Sequence, residues 1–270
     1  MRSHYEERYG KNFIPKDMTI QDFGVSYEEL EPFFDYAEKV FGTSGQAWTV
    51  KGQLVGDGKG GNPYAPDRSD HFPLESQKNT YSAQLFQKAA NEVGYKPYNL
   101  PSANTSGPYT NPYGAQMGPC NFCGFCSGYV CYMYSKASPN VNILPALKPL
   151  PNFELRPNSH VLRVNLDSSK TRATGVTYVD GQGREIEQPA DLVILGAFQF
   201  HNVRLMLLSG IGKPYDPITG EGVVGKNFAY QNMATIKAYF DKDVHTNNFI
   251  GAGGNGCLLY TSDAADEGLG

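Results

Sequence analysis

Four of the five cysteines in this 270-residue chain fall within one short stretch and could together do chemistry. Cys120, Cys123, Cys126 and Cys131 have the spacing C-x2-C-x2-C-x4-C. A tight loop followed by a helical turn brings thiols with such spacing towards one point. Thiolates gathered that closely repel one another unless a cation lies between them. The stretch therefore predicts a metal site.

The spacing leaves three interpretations of this cysteine run open. An iron–sulfur cluster comes first, because compact cysteine runs hold clusters in bacterial ferredoxins, whose last gap is one residue shorter. Disulfides or inert buried thiols come second. Zinc comes third, because structural zinc sites usually pair two separated C-x2-C knuckles or add histidines. No histidine occurs between His71 and His160.

The composition narrows the class of protein. A formal net charge of -4 and a pI near 5.7 argue against nucleic acid as a partner, because phosphate binding needs a basic face. The 18 Tyr, 15 Phe, 30 Gly and 18 Pro indicate long, ordered, aromatic-rich loops, which suit a cofactor enzyme better than a helical bundle. No apolar run is long enough to span a membrane, and the first residues lack the apolar core of a secretion signal.

Two helices and a long loop are predicted ahead of the cysteines. Ser26 and Glu29 form a capping box that opens a helix ending at Gly42. Its apolar face is expected in the core: Leu30, Phe33, Phe34, Ala37 and Val40. A second helix is predicted over about 81–93, ended by Gly94. In the loop over 43–79, the match to G-x-G-x-x-G at 56–61 precedes Asn62-Pro63 rather than a helix, which predicts a turn and no dinucleotide site.

After Pro139 the sequence predicts mainly strands, and the chain as a whole reads as α/β. Strands are expected over 152–157, 159–167 and 173–180, the last turning at Gly181–Gly183 into a hairpin over 184–187. The continuous apolar run at 190–197 predicts a buried strand of a parallel sheet. A helix follows over 202–208. A buried strand, a small-residue turn and a helix form the kind of crevice in which doubly wound sheets hold nucleotides.

Residues 190–212 (A-D-L-V-I-L-G-A-F-Q-F-H-N-V-R-L-M-L-L-S-G-I-G) resemble the second hallmark segment of the glucose–methanol–choline (GMC) flavoprotein oxidoreductases. One branch, the large subunits of gluconate 2-dehydrogenase and its fructose- and sorbitol-oxidising relatives, is similar at further sites. These are Asn111–Gly114, the cysteine run, Lys136–Pro139 and Gly220–Asn227. The resemblance extends from about Tyr9 to Asp243. It implies part of a Rossmann-like, FAD-binding GMC fold.

The resemblance also implies site residues. The strand around Val161 is expected against the FAD adenine. Gly196 and Ala197 are expected where a larger side chain would collide with the dinucleotide, and Asn202 completes the set of candidate FAD residues. Some relatives carry a [3Fe-4S] cluster in the cysteine region. Such a cluster needs only three ligands, and Cys131, after the odd x4 gap, is then the first to be dropped.

The function implied by the resemblance is oxidation of a CH-OH group in a sugar or sugar acid. Hydride passes to FAD, and electrons leave through the iron–sulfur cluster to a cytochrome c subunit, with a small escort subunit as a further partner. The expected location is the periplasmic face of the inner membrane, by peripheral attachment. Two alternatives remain: a GMC oxidase that uses oxygen and has structural cysteines, and a non-catalytic structural fragment.

Two parts of the family pattern are expected to lie outside this chain. The N-terminal βαβ unit with its true G-x-G-x-x-G is missing, and the catalytic His with its partner is expected beyond this chain, so no catalytic residue is assigned. His201 is interpreted as a helix-start histidine that packs or hydrogen-bonds, and His71, His160 and His245 are likewise given no catalytic role.

The expected domains follow the change from predicted helices and loops to predicted strands along the chain. A helical and loop-rich insert is expected over 1–150, part of the FAD-binding domain over 151–230 and the start of the substrate domain over 231–256. The stretch Cys257–Glu267 resembles the translation of a sequencing adapter, so 257–270 is expected to be non-native.

Overall fold

A computed structural model describes residues 2–16, 18–58, 60–123, 125–126, 129–229 and 239–245, and the backbone of 258–260. The chain divides into two compact units. The first unit contains Gln21–Phe153 and the C-terminal residues from Ala238, and the second contains Arg2–Ile20 and Glu154–Lys237. The functional assignment of the predicted domain ranges stays a prediction.

Helices and strands alternate irregularly along the described chain. The helices are α1 (Arg2–Tyr9), α2 (Tyr27–Phe41), α3 (Tyr81–Glu92), α4 (Pro139–Asn142), α5 (Leu144–Leu147) and α6 (Gln199–Ser209). The strands are β1 (Thr49–Val50), β2 (Gln53–Leu54), β3 (Pro97–Asn99), β4 (Tyr109–Thr110), β5 (Gln116–Met117), β6 (His160–Leu166), β7 (Ala173–Val179), β8 (Glu185–Pro189) and β9 (Leu258–Tyr260). This mixture is consistent with the predicted α/β class. None of the described helices is both long and apolar enough to cross a membrane.

Helix α2 begins and ends where the sequence predicts. The Ser26 hydroxyl accepts from the Glu29 N–H at 3.2 Å, and the Glu29 carboxylate accepts from the Ser26 N–H at 2.7 Å. Such a cap contributes about 1 kcal/mol. Gly42 ends the helix in the left-handed conformation, with φ +63°. Both boundaries therefore follow from local sequence.

The predicted core face of α2 is wrong in its aromatic part. Phe33 is 70% exposed and Phe34 is 47% exposed, although Val40 is buried. The helix instead packs through its acidic side: buried Glu31 accepts from the N–H and the hydroxyl of Ser69, and Glu38 pairs with Arg68. Satisfied polar contacts to the 68–70 segment, which the helical period cannot reveal, decide which face is covered.

The described residues of the loop over 43–79 are largely irregular, as predicted. It contains the short antiparallel pair β1–β2, and its glycine-rich stretch makes turns, with Gly56, Gly58 and Gly60 at positive φ. No helix follows directly on this stretch among the described residues, which confirms the turn interpretation. Helix α3 then starts at its cap Thr80, whose hydroxyl accepts from the Ala83 N–H at 3.3 Å.

The second unit is built on an antiparallel sheet with the strand order β6-β7-β8. Strands β6 and β7 pair from His160 with Val179 to Leu166 with Ala173, and β7 and β8 form the predicted hairpin. Helix α6 packs beside β6: Leu205 is buried, and the Ser209 hydroxyl accepts from the Val164 N–H at 2.8 Å. Gly210 ends α6 with φ +66°.

Two predicted strands of this region are wrong. Residues 152–157 contain no strand. The run 190–197 is not a strand either, and Leu192 and Ile194 within it are 75% and 82% exposed. A central parallel strand needs a hydrogen-bonded neighbour on each side. No described strand pairs with 190–197, so the run is left without a sheet.

The C-terminal predictions lie mostly outside the described residues. Of the range 231–256 only 239–245 is described. Of the adapter-like stretch Cys257–Glu267 the structure describes the backbone of β9, which pairs antiparallel with β3. The adapter origin of this stretch stays a prediction.

Candidate functional site

The second unit contains a cavity of about 320 Å³ that brings together most of the residues predicted to bind a cofactor. Val161 lines it from β6, and Gly196 and Ala197 line it from the segment ahead of α6. The remaining lining residues are Ser159, His160, Val176, Val193, Ile194, Leu195, His201, Arg204 and Leu205. The volume is at the lower end of the roughly 300–1,000 Å³ typical of ligand pockets. The cavity is therefore large enough for one part of a dinucleotide.

The fourth predicted residue, Asn202, is not among the lining residues, but it bonds to the backbone that forms the cavity wall. Its side-chain oxygen accepts from the Ala197 N–H at 2.9 Å, and its amide donates to the Leu195 carbonyl at 3.2 Å. One side chain in the first turn of α6 thus clamps the backbone on both sides of Gly196. Asn202 contributes to the site by positioning its wall.

The packing of the protein does not require a glycine at position 196. A Cβ built on Gly196 would meet no atom within 4 Å, and the residue does not have the positive φ that favours glycine. At Gly212, by contrast, φ is +73° and a Cβ would come within 2.7 Å of the Val224 side chain. The space beside Gly196 is open, as expected if a ligand approaches the backbone there.

The residue next to this space is strained. Phe198 caps α6 with φ +66° and ψ 157°, a conformation that is nearly exclusive to glycine. Its ring lies edge-on to that of Phe200, which in turn packs against Phe228 with a centroid distance of 4.6 Å. This aromatic chain holds the turn between the cavity wall and the helix. The sequence pattern contains no signal for it.

The walls of the cavity are mainly apolar, and its ionisable lining side chains are all basic. His160, His201 and Arg204 line it together with Ser159, whereas no Asp or Glu is among the lining residues. His201 is exposed and stands in the first turn of α6, and no described residue positions it as a base. An apolar cavity with basic groups suits a ligand that has both an aromatic and an anionic part.

The four clustered cysteines lie in the first unit as free, half-buried thiols. Burial raises the pKa of Cys120, and the nearby thiols of Cys126, Cys131 and Cys123 raise it further. Burial also raises the pKa of Cys131, but backbone N–H groups and the Lys136 charge outweigh it, so that this pKa is lowered. The thiols are close enough to influence one another electrostatically.

The same thiols do not form a ligand set in this arrangement. Within the described part of the chain, no three His, Cys, Asp or Glu side chains converge as metal ligands. The donor chemistry suits iron–sulfur or zinc, but the geometry does not fit a bound metal without rearrangement of the loop. Nothing further in the structure distinguishes Cys131 as the ligand to be dropped.

The two ends of the cysteine loop, here the segment Gly118–Lys136, are fixed in a buried polar base. Thr105 and Ser135, both 0% exposed, exchange hydrogen bonds: the Thr105 N–H donates to the Ser135 carbonyl and the Ser135 hydroxyl to the Thr105 carbonyl, each at 3.1 Å. The Thr105 hydroxyl donates to the Gly118 carbonyl at 2.5 Å, and the Cys120 N–H donates to the Thr105 carbonyl at 2.9 Å. The loop is therefore closed at its root.

Lys136 ties the far part of the loop back to this base. Its ammonium donates to the Cys126 carbonyl at 2.8 Å and lies 3.5 Å from the Tyr129 carbonyl. Hydrogen bonds from charged donors are the stronger ones in proteins. In the sequence Lys136 belongs only to a family motif, and the pattern contains no signal for this role.

Asn111 is a second residue whose role only the structure shows. Its buried amide donates to the carbonyls of Asn142 at 2.7 Å and Val40 at 3.1 Å. Its oxygen accepts from the N–H groups of Tyr113 and Ala115, at 3.0 and 2.9 Å. One side chain thus joins α2, α4 and the turn that leads to β5.

Comparison with known proteins gives the family. The family model described as GMC oxidoreductase matches residues 21–233, which is most of the chain. The chain belongs to the GMC oxidoreductase family. The resemblance read from residues 190–212 is thereby confirmed.

Individual relatives agree with the predicted branch of the GMC family. The chain is 74% identical over 270 residues to a gluconate 2-dehydrogenase flavoprotein of Pantoea cypripedii, covering 99% of this chain and 44% of that protein. It is 23% identical to the fructose dehydrogenase large subunit of Gluconobacter japonicus, covering 80% of this chain and 37% of that protein. It is 25% identical to a 2-methyl-1,2-propanediol dehydrogenase of Mycolicibacterium austroafricanum, covering 90% of this chain and 40% of that protein. The chain thus spans less than half the length of these relatives.

Proposed function

We propose that the protein to which this chain belongs is a FAD-dependent dehydrogenase that oxidises a CH-OH group of a sugar or sugar acid, with gluconate as the first substrate to try. The observation that carries the proposal is the open cavity beside Gly196 in a chain of the GMC family. The name of the 74% identical relative supports the sugar-acid class.

The residues of this chain have a binding role in the proposed function. The apolar side chains around Val161 and Val176 accommodate the aromatic end of FAD, and Gly196 and Ala197 let the dinucleotide approach the backbone that Asn202 holds. When bound, FAD supplies the hydride acceptor for alcohol oxidation. We assign the proton-accepting base to residues outside this chain.

We further propose that the run Cys120, Cys123, Cys126 and Cys131 would supply the three ligands of a [3Fe-4S] cluster, with Cys131 the first to be dropped. Such a cluster, when bound, would supply one-electron transfer to a cytochrome c subunit. The cysteine spacing and the mutual influence of the thiols support this, although the loop must rearrange to bring them to one point. A small escort subunit and peripheral attachment at the periplasmic face of the inner membrane complete the proposal. They rest on the branch of the family and on the relatives named as a flavoprotein and a large subunit.

Flavin and substrate are tested on the full-length protein, purified under anaerobic conditions. We expect about one FAD per polypeptide and bleaching of its visible absorption on addition of gluconate. Protein without flavin, or flavin that no sugar or sugar acid reduces, would contradict the proposal. Oxygen consumption without an added acceptor would instead support the oxidase alternative.

The cluster is tested separately by metal analysis and EPR of the same preparation. We expect about three irons and a nearly isotropic signal close to g = 2 in the oxidised protein. Cys123→Ser should then abolish cytochrome reduction while gluconate still bleaches the flavin. Zinc, or oxidised thiols without metal, would make the cysteine loop a structural element and contradict the cluster alone.

A further inference from the structure

Arg204 stands at the cavity of the second unit without a counter-charge. It lines the cavity from α6. The other residues that line the cavity are apolar or small, apart from Ser159, His160 and His201. None of these lining residues is acidic. Asp191, the acidic residue closest in sequence to the cavity wall, lines a different depression together with Asp167 and Arg172. The cavity therefore has a net positive lining.

The backbone that carries Arg204 is fixed at both ends of α6. Asn202 bonds the first turn to the cavity wall, and Ser209 bonds the last turn to β6. Leu205, the next residue, is buried against the sheet side of the helix. Arg204 itself is exposed and has no hydrogen bond or ion pair to any described residue. Its position is thus set by the fold, and its guanidinium remains available to a ligand.

We infer that Arg204 binds the diphosphate of FAD, while the adenine end of the cofactor occupies the apolar part of the cavity around Val161. This inference rests on the proposed function and adds a cofactor-binding residue to it. A guanidinium is planar and can donate two parallel hydrogen bonds to phosphate oxygens. A cavity of about 320 Å³ takes only one end of a dinucleotide, so the diphosphate lies at its edge.

The test uses the full-length protein made without flavin by expression under riboflavin limitation. FAD binding is measured by quenching of flavin fluorescence, and ADP and adenosine are used as competitors. ADP carries the diphosphate and adenosine lacks it, so their comparison isolates the contact. Arg204→Ala should weaken FAD and ADP by about tenfold or more and leave adenosine unchanged.

A matched control removes the same charge elsewhere in the unit. Arg163 lies on β6, two residues from Val161, and pairs with Glu185 at 3.7 Å instead of lining the cavity. Arg163→Ala should leave all three affinities at the wild-type value. Arg204→Lys keeps the charge but not the paired donors, so it should give an intermediate loss for FAD and ADP.

Each outcome decides between the inference and the proposed function. Wild-type protein that binds FAD, together with an Arg204→Ala variant that binds FAD and ADP equally well, overturns the inference and leaves the proposed function standing. Equal losses for ADP and adenosine also overturn it, because Arg204 would then shape the cavity and not contact phosphate. Wild-type protein that binds no FAD contradicts the proposed function itself.

Discussion

The cysteine loop and the cavity beside Gly196 differ in how completely this chain builds them. The root of the cysteine loop is closed: Thr105 and Ser135 satisfy each other, and Lys136 reaches back across the loop. The cavity wall is open: Ile194, which lines it, and Leu192, two residues earlier, are both exposed. The hydrogen bonds that hold the cysteine loop come from residues of this chain, whereas an apolar run depends on strands that must lie beside it.

The largest expected effect is on stability, at Asn111, a buried residue of the unit that contains the cysteine loop. Asn111→Ala would leave two carbonyls and two N–H groups without their buried partner, so we expect a loss of about 2–4 kcal/mol in the free energy of unfolding. Urea denaturation followed by fluorescence measures it. Asn62→Ala is the control, because Asn62 makes one exposed turn contact with the Tyr64 N–H and should cost under about 1 kcal/mol. A loss at Asn111 no larger than at Asn62 would contradict the assigned role.

Two glycine substitutions compare the closed and the open region directly. In Gly118→Ala the new Cβ would fall well inside contact distance of the Met133 carbonyl oxygen, so we expect about 1–3 kcal/mol of destabilisation. In Gly196→Ala the Cβ meets nothing, so stability should change by less than about 0.5 kcal/mol. Gly196→Ala should nevertheless weaken FAD binding in the full-length protein. Stable Gly196→Ala protein that retains wild-type FAD affinity would show that no ligand uses the open space.

Lys136→Met tests whether the ammonium holds the far part of the cysteine loop. We expect amide hydrogen exchange over residues 121–132 to become about tenfold faster, because a charged hydrogen bond to the Cys126 carbonyl is lost. Exchange at Thr105 should not change, since the root of the loop has its own bonds. Lys148→Met removes an equal charge at an exposed position and serves as the control. The measurement needs no bound metal, and unchanged exchange would remove Lys136 from the account of the loop.

The smallest expected effect concerns an ion pair beside α2. The hydrogen bond from Lys39, at 2.8 Å, and the His71 N–H lower the pKa of Asp70. Its carboxylate therefore stabilises the fold above the ordinary Asp pKa of about 4, and this contribution is lost as the pH falls through the lowered value. Asp70→Asn should cost a few tenths of a kcal/mol at pH 7, because the pair is largely exposed.

The pH dependence of the stability difference between wild type and Asp70→Asn tests whether the pKa of Asp70 is lowered. The gap in unfolding free energy between wild type and Asp70→Asn should close on acidification below about pH 4. Asp191→Asn, the same substitution away from this pair, measures the effect of charge alone. A gap that widens in acid would contradict the assignment.

Predictions from sequence were accurate where the required partners are near neighbours. The capping box at Ser26, the end of α2 at Gly42 and the turn between β7 and β8 were all predicted, because each is settled within a few residues. The predictions of a buried aromatic face on α2 and of a strand at 190–197 were wrong. A hydrophobic pattern shows which residues can be buried, but it does not show which segments are present to cover them.

The candidate site shows the same division. The residue types at Gly196, Ala197 and the four cysteines indicated where a cofactor and a metal are expected, through spacing and resemblance. Their neighbours were invisible to the sequence pattern: Arg204 in the cavity, Phe198 in its strained conformation, and Lys136 across the loop. Each of these roles depends on side chains that meet only after the segments have packed.

The sequence by itself determined where α2 begins and ends, which hairpin forms and how the thiols are spaced, because caps, turns and short spacings involve atoms close along the chain. Only the tertiary structure decided that Thr105 would bond Ser135 thirty positions away and that α2 would bury its acidic side. It also decided that one cavity would collect residues from β6, α6 and the segment between β8 and α6. Buried polar groups must find a partner wherever the packed chain supplies one, and no local pattern names that partner in advance.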